Sequence, residues 1–240
     1  VAMTAPSATE ILKISKEFNI EIDDLKAPLD EEERSRLEKE DNYTMILVDI
    51  PVIERRNEKD WYETIPLGIF ITEKVIFTIC LKETRILKQF MDGLVPDFCT
   101  YKKTRFVYQI LYNNAALYLH YLRVIDKKSE EIEKILLEDS KNQDLIQLYE
   151  LDKCLVYFTT SLKSNELVME KMLKTNSIRH YAEDEDLLED VIIENKQAME
   201  MTHIYHNILR SMMSLFSSII DNNLNQIMKL LAAVTIVVEL

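Results

Sequence analysis

Along residues 183–240, mostly apolar side chains recur at alternating steps of three and four. One row runs through Leu187, Val191, Glu194, Ala198, Met201, Tyr205, Ile208, Met212, Leu215 and Ile219. A second runs beside it through Leu188, Ile192, Asn195, Met199, Thr202, His206, Leu209, Met213, Phe216 and Ile220. This period holds one side of an α-helix against a partner, and two adjacent rows suit a helix with neighbours on both sides, as in a ring of helices. No Pro or Gly interrupts the stretch. The spacing therefore predicts one unbroken helix, about 85 Å long at ~1.5 Å per residue.

Toward its end the pattern changes. Ser214, Ser218, Asp221, Asn225, Met228 and Ala232 share one face, polar at its start and apolar after Asn225. From Ile227 the run Ile-Met-Lys-Leu-Leu-Ala-Ala-Val-Thr-Ile-Val-Val is apolar but for Lys229. That is about a dozen residues where a membrane span needs ~20, so it reads as a span cut short. A polar facet leading into an apolar run suits a helix that enters a bilayer and lines a pathway. Periodicity alone fits a coiled-coil dimer with an apolar end equally well.

The preceding chain divides by its punctuation. Ser7 with Glu10 three residues on is a capping box for a helix over 4–18, with Ile11, Leu12, Ile14 and Phe18 as its apolar face. A short helix over 22–27 stops before Pro28, and Asp30 caps the acidic turn that follows. Strands are predicted at 42–53, 61–71 and 75–81, with turns at 55–60 and at Glu73-Lys74, and Pro51 marks a strand end or an edge. Short connections imply an antiparallel meander. A helix over 84–92 ends at Gly93. Beyond Pro96, helices over 102–139 and 143–173 flank a break at Ser140-Lys141-Asn142 and form an αα-hairpin. A loop at 174–183 leads to the terminal helix. The fold class is α+β: a small, mainly antiparallel or mixed sheet flanked by helices, then a long helical hairpin and a very long C-terminal stalk helix. The expected domains are 1–95, 96–182 and 183–240.

Composition sharpens this. Two Gly in 240 residues, against an average near ~7%, leave few tight turns and favour helix. A net charge of −13 argues against a nucleic-acid partner and draws cations to the surface; acidity also serves solubility. Cys80, Cys99 and Cys154 are scattered with no C-x-x-C, so neither a zinc knuckle nor a disulfide framework is indicated, and a reducing setting fits. The chain opens on Val1 without a signal peptide, so residues ahead of it are expected.

No phosphate-binding loop, no G-x-S-x-G and no H-E-x-x-H is present, and an enzyme is not expected. His203 and His206 lie three apart on the terminal helix, a spacing open to a soft metal or to ordinary interface and surface roles. Glu183, Asp184, Glu185, Asp186, Glu189 and Asp190 crowd the start of that helix, where the macrodipole favours negative charge and by itself accounts for the cluster. Carboxylates are the remaining candidate chemistry. Hard cations such as Mg²⁺ take oxygen ligands and keep several waters, so single acids repeated around a symmetry axis would hold a hydrated ion loosely.

The segment Asn222-Asn223-Leu224-Asn225-Gln226-Ile227-Met228-Lys229-Leu230-Leu231 resembles the end of the pore helix in CorA-type magnesium transporters. The stretch from Asp30 to Glu38, followed by Asp41-Asn42-Tyr43, resembles that family's N-terminal domain. The order of small α/β domain, helical hairpin and very long helix is similar too, and the likeness covers essentially the whole chain. The family's Gly-Met-Asn, its second span and its basic tail are absent, because the chain stops before them. The resemblance implies a homopentamer in the full-length form, anchored by C-terminal spans in the cell (inner or plasma) membrane, with this part cytoplasmic. It implies long helices around a central pathway, with Ser214, Ser218, Asn225, Met228 and Leu231 lining it and Met228 and Leu231 at the gate. Asp190 matches an acid that holds regulatory Mg²⁺ between subunits. Its counterpart falls in Glu83-Thr84-Arg85, where Arg85 replaces the expected carboxylate and leaves Glu83. A family ring of acids falls at Ser214 here, and Asp221, one facet step on, takes that role. The implied cargo is Mg²⁺, with Co²⁺, Ni²⁺ or Zn²⁺ open, and transport closes when cytosolic Mg²⁺ is high. The alternatives are a zinc-carrying member of the family and a non-transport coiled-coil scaffold with an α/β head.

Overall fold

The computed structural model describes residues 1–56, 59–99, 101–138, 142–174 and 184–238. Residues 57–58, 100, 139–141, 175–183 and 239–240 lie outside the described residues, and with them His180, Glu183 and most of the expected break at 140–142 and loop at 174–183.

Helix α1 (Ala8–Phe18) begins at the expected capping box: Glu10 N–H donates to Ser7 Oγ, and the Glu10 carboxylate accepts from Ser7 N–H at 2.8 Å. It ends on Asn19, whose φ of 52° is left-handed, a conformation asparagine tolerates. Helix α2 (Ile22–Lys26) runs into a 3-10 turn at Ala27–Leu29. Asp30 Oδ1 then caps the acidic turn, accepting from Glu32 N–H at 3.0 Å.

Strands β3 (Tyr43–Arg56) and β4 (Lys59–Thr72) pair in antiparallel register over their full length, and β5 (Ile76–Cys80) follows. This is the expected meander, lengthened. Two strands were not anticipated: β1 (Ala2–Thr4), parallel to β5, and β2 (Arg36–Lys39), antiparallel to β3. Both are short, and β2 is charged at every position but Leu37. The five-stranded mixed sheet has the order β1-β5-β4-β3-β2.

Pro51 does not end β3. The β2 ladder stops at Leu47 and the β5 ladder at Leu67, so Pro51 and Pro66 fall where β3 and β4 pair only with each other. Each strand has an open side there, which is where a residue without an N–H is tolerated.

Successive strand residues point to opposite faces, and both faces are covered. Tyr43, Met45, Phe70, Phe77 and Ile79 pack under Ile11, Ile20 and Leu25 of α1 and the adjoining segment. Ile46, Val48, Ile50 and Val52 face the long helices. Two-sided burial explains the continuous apolar run of β3.

Helix α3 (Arg85–Met91) is capped by Thr84, which accepts from Leu87 N–H, and ends at Gly93, whose φ of 68° suits glycine. Helices α4 (Lys103–Glu138), α5 (Asn142–Lys174) and α6 (Glu185–Val238) complete the chain. Each lies within two residues of its expected bounds. α6 packs against α4 and α5 more extensively than they pack against each other. The two rows of α6 are thus met by the chain's own helices, against which Leu188, Val191, Ala198, Leu209 and Phe216 are buried. Of the first row, Ile208 and Leu215 stay exposed, at 39% and 56%.

Polar ties fix the stack. Arg105 Nη1 donates to the buried Asp184 carboxylate at 3.2 Å, joining the starts of α4 and α6. Asn195 Nδ2 of α6 donates to the Leu162 carbonyl of α5 at 3.1 Å. Phe216 is the last fully buried residue of α6, and every described side chain from 221 to 236 is exposed. The helix leaves the body there and projects about 30 Å further. Among the described residues no helix is long and apolar enough to cross a membrane.

Candidate ion pathway along the stalk helix

The face that α6 buries decides what its other faces can do. Leu188, Val191, Asn195, Ala198, Thr202, Leu209 and Phe216 lie against the body. At 3.6 residues per turn, Ser214, Ser218, Asp221 and Asn225 fall roughly 140° around the helix from that face. All four are exposed. The Ser218 hydroxyl donates to the Ser214 carbonyl at 2.9 Å, so it is satisfied within the helix and still presents its oxygen outward. Asp221 has no ion-pair partner among the described residues. The result is a row of small oxygen-bearing side chains with one carboxylate. Further out on the projecting part, Met228 and Leu231 are 59% and 60% exposed.

The two expected regulatory acids are not brought together within one chain. Asp190 is exposed on the second turn of α6, and Glu83 is exposed in the link before α3. Among the described residues, neither has a charge partner, and no group of three or more His, Cys, Asp and Glu is placed to hold a metal ion. Arg85, two residues from Glu83, carries its guanidinium Nη1 3.5 Å from His120 Nε2, in a small groove with Gln89 and Asn113. Glu83 and Asp190 are therefore single exposed carboxylates, with no contact between them among the described residues.

Nor do the two histidines form a metal pair. His206 Nδ1 lies 2.6 Å from Asp152 Oδ1 on α5, while His203 is exposed. His206 belongs to the α5–α6 contact, the interface alternative of the sequence reading.

One carboxyl was missed. Asp49 stands alone among the apolar residues Met-Ile-Leu-Val-Asp-Ile of β3, and an acid within a buried strand was the available signal. Burial pushes its carboxyl up to about 6.

Comparison with known proteins fits this arrangement. A family model described as CorA-like Mg²⁺ transporter protein matches residues 1–240. The cobalt/magnesium transport protein CorA of Methanocaldococcus jannaschii is 29% identical over 239 residues, spanning 96% of this chain and 72% of that protein. The complete structure of the CorA magnesium transporter from that organism matches with a TM-score of 0.84 at 27% identity, over 98% of this chain and 74% of that one. The structure of its soluble domain matches with a TM-score of 0.81 at 27% identity, over 90% and 86% of the two chains.

Proposed function

The chain belongs to the CorA-like Mg²⁺ transporter family, and we propose that it is the cytoplasmic and pore-stalk part of a homopentameric divalent-cation transporter. It is not an enzyme; its work is to conduct an ion. The observation that carries the reading is the polar row Ser214, Ser218, Asp221 and Asn225. It stays free on the side of α6 turned away from the body.

In this reading five copies of α6 surround an axis with that row turned inward. Ser and Asn oxygens face a hydrated cation without stripping its shell, which suits Mg²⁺, an ion that dehydrates reluctantly. Five Asp221 carboxylates concentrate cations at one level of the conduit. Beyond Asn225 the lining turns apolar at Met228 and Leu231, and a hydrophobic constriction gates by dewetting. The projecting end of α6 points toward the cell membrane, and the sheet and hairpin lie on the cytoplasmic side. Mg²⁺ and Co²⁺ are the preferred cargoes, following the M. jannaschii relative's description as a cobalt/magnesium transport protein. Regulatory Mg²⁺ held between Asp190 of one copy and Glu83 of the next belongs to the same reading, with Arg85 standing where a second carboxylate would strengthen that site.

Mg²⁺ flux into vesicles carrying the intact transporter tests the reading. Asn225→Leu replaces an oxygen-bearing lining with an apolar one and is expected to lower flux at least tenfold. Native mass spectrometry of the same preparation is expected to give five copies. Undiminished flux in Asn225→Leu would remove Asn225 from the pathway.

A further inference from the structure

A crevice opens between α4 and α5 beside the first residues of β4. It holds about 360 Å³, within the ~300–1,000 Å³ range of small-molecule sites. Its apolar lining is Trp61 from β4, Ile132 and Ile135 from α4, and Leu151 and Cys154 from α5. Ile132, Leu151 and Cys154 are buried, Trp61 is half-buried and Ile135 is exposed. An adjoining hollow shares Lys59, Trp61 and Glu150 with the crevice and adds Arg56.

Positive charge gathers on the aromatic end. Arg56 Cζ lies 5.5 Å from the centre of the Trp61 ring, and Lys153 Nζ lies 5.8 Å from it. Lys128 Nζ stands 5.0 Å from the centre of the neighbouring Tyr62 ring, and Lys59 lines the crevice beside them. One cation thus comes from each of β3, β4, α4 and α5, and the ring faces attract them. Arg56 is paired with Glu54 and Glu63, and Lys128 lies 3.5 Å from Asp60. Lys59 and Lys153 are exposed, and neither has an ion-pair partner among the described residues. The other acids of the lining are Glu131, which is exposed, and the half-buried Glu150. Because Arg56 and Lys153 already hold the Trp61 ring, a cationic ligand would meet repulsion there and an anionic one attraction.

We propose that this crevice binds a small organic anion with a flat apolar body, an aromatic carboxylate, phosphate or sulfonate, and that its occupancy is felt by the stalk helix. The body lies against Trp61, Ile132 and Leu151, and the anionic group meets Lys59 and Lys153. The link to the stalk is one turn of α5. Leu151 and Cys154 face the crevice. Asp152, roughly 130° around the helix from them, places its Oδ1 2.6 Å from His206 Nδ1 of α6. A ligand that orders this turn holds Asp152 against His206 and steadies the seating of α6. Any consequence for conduction rests on the proposed function, whereas the binding itself does not.

Trp61 is the one tryptophan of the chain, so its emission reports on the crevice. Anilinonaphthalene sulfonate, a flat aromatic anion, is expected to quench it saturably with a midpoint on the order of tens of micromolar. N-phenylnaphthylamine, the same rings without the sulfonate, should bind about tenfold more weakly. Lys59→Glu combined with Lys153→Glu changes two exposed side chains, so the melting temperature should hold while affinity for the anion falls on the order of tenfold. Absence of saturable quenching up to about 1 mM, equal affinity for the uncharged probe, or unchanged affinity in the doubly substituted chain would overturn the site. At saturation with the anion, amide exchange of α6 over 203–209 is expected to slow; unchanged exchange would overturn the link to the stalk. Because these readouts need no transport, their failure leaves the conduit reading standing.

Discussion

Phe216 is where the stalk helix lets go of the body, so replacing it measures how firmly α6 is held. Its ring is fully buried, and truncating a buried Phe to Ala costs about 3–5 kcal/mol through lost transfer and cavity terms. The preceding fully buried anchor, Leu209, is two turns back, about 10 Å along the axis. Between them only the half-buried Met212 and Met213 hold α6 to the body. Loss of the Phe216 contact is therefore expected to free the helix from Leu209 onward without unfolding the sheet. We expect urea unfolding of Phe216→Ala to show about 2–3 kcal/mol of lost stability, below the full range because the site lies at the margin of the core. Amide exchange over 210–220 should quicken by on the order of 50-fold, while exchange in β3 and β4 stays slow. The control is the adjacent Leu215→Ala. That side chain is 56% exposed and should cost under about 0.5 kcal/mol where the chain is monomeric. Equal effects from the two substitutions, or a loss below about 1 kcal/mol for Phe216→Ala, would refute the assignment of the buried face and with it the outward direction of the polar row.

Two further outcomes follow from packing and chemistry. A Cβ added at Gly68 would lie 2.3 Å from Pro28 Cγ and 3.0 Å from the Phe70 ring, so Gly68→Ala should push the Ala27–Leu29 turn off β4 and lower thermal stability by about 1–3 kcal/mol; an unchanged melting temperature would show that the turn gives way freely. Burial pushes the Cys154 thiol up to about 11, leaving little thiolate at neutral pH. Cys99, which is only half-buried, should take up iodoacetamide first, and mass mapping that finds Cys154 labelled first would contradict the packing around it.

Much of this architecture was legible before any coordinates. Long helices announce themselves because the 3-4 rhythm persists over many turns and Gly and Pro are scarce, so α4, α5 and α6 were bounded closely. Capping chemistry is local, and Ser7, Thr84 and Gly93 act where the chain places them. The missed strands have physical reasons. β1 offers three residues and is held by pairing with β5 rather than by its own pattern. β2 reads Arg-Leu-Glu-Lys because a short edge strand needs charge more than hydrophobicity. The partners of the two α6 rows could not be read either, since periodicity says that a face is buried and not against what. The row of Ser214, Ser218, Asp221 and Asn225 was legible as one face of the helix, and all four are exposed. Asp190 lies far in sequence from Glu83 and Arg85, and only the fold shows Arg85 set against His120. The backbone partners of Asp49 needed tertiary structure: Asn114, Tyr118 and Asn165 come from two helices at least 65 residues downstream.

The account stands on the side of α6 that faces the ion. Single cysteines introduced in turn from 214 to 228, in the intact transporter with Cys99→Ser, can be tested for block of Mg²⁺ flux by a hydrophilic thiol reagent. Block is expected to peak at Ser214→Cys, Ser218→Cys, Asp221→Cys and Asn225→Cys and to vanish at Phe216→Cys. Peaks on the Phe216 side, or block without helical periodicity, would contradict it.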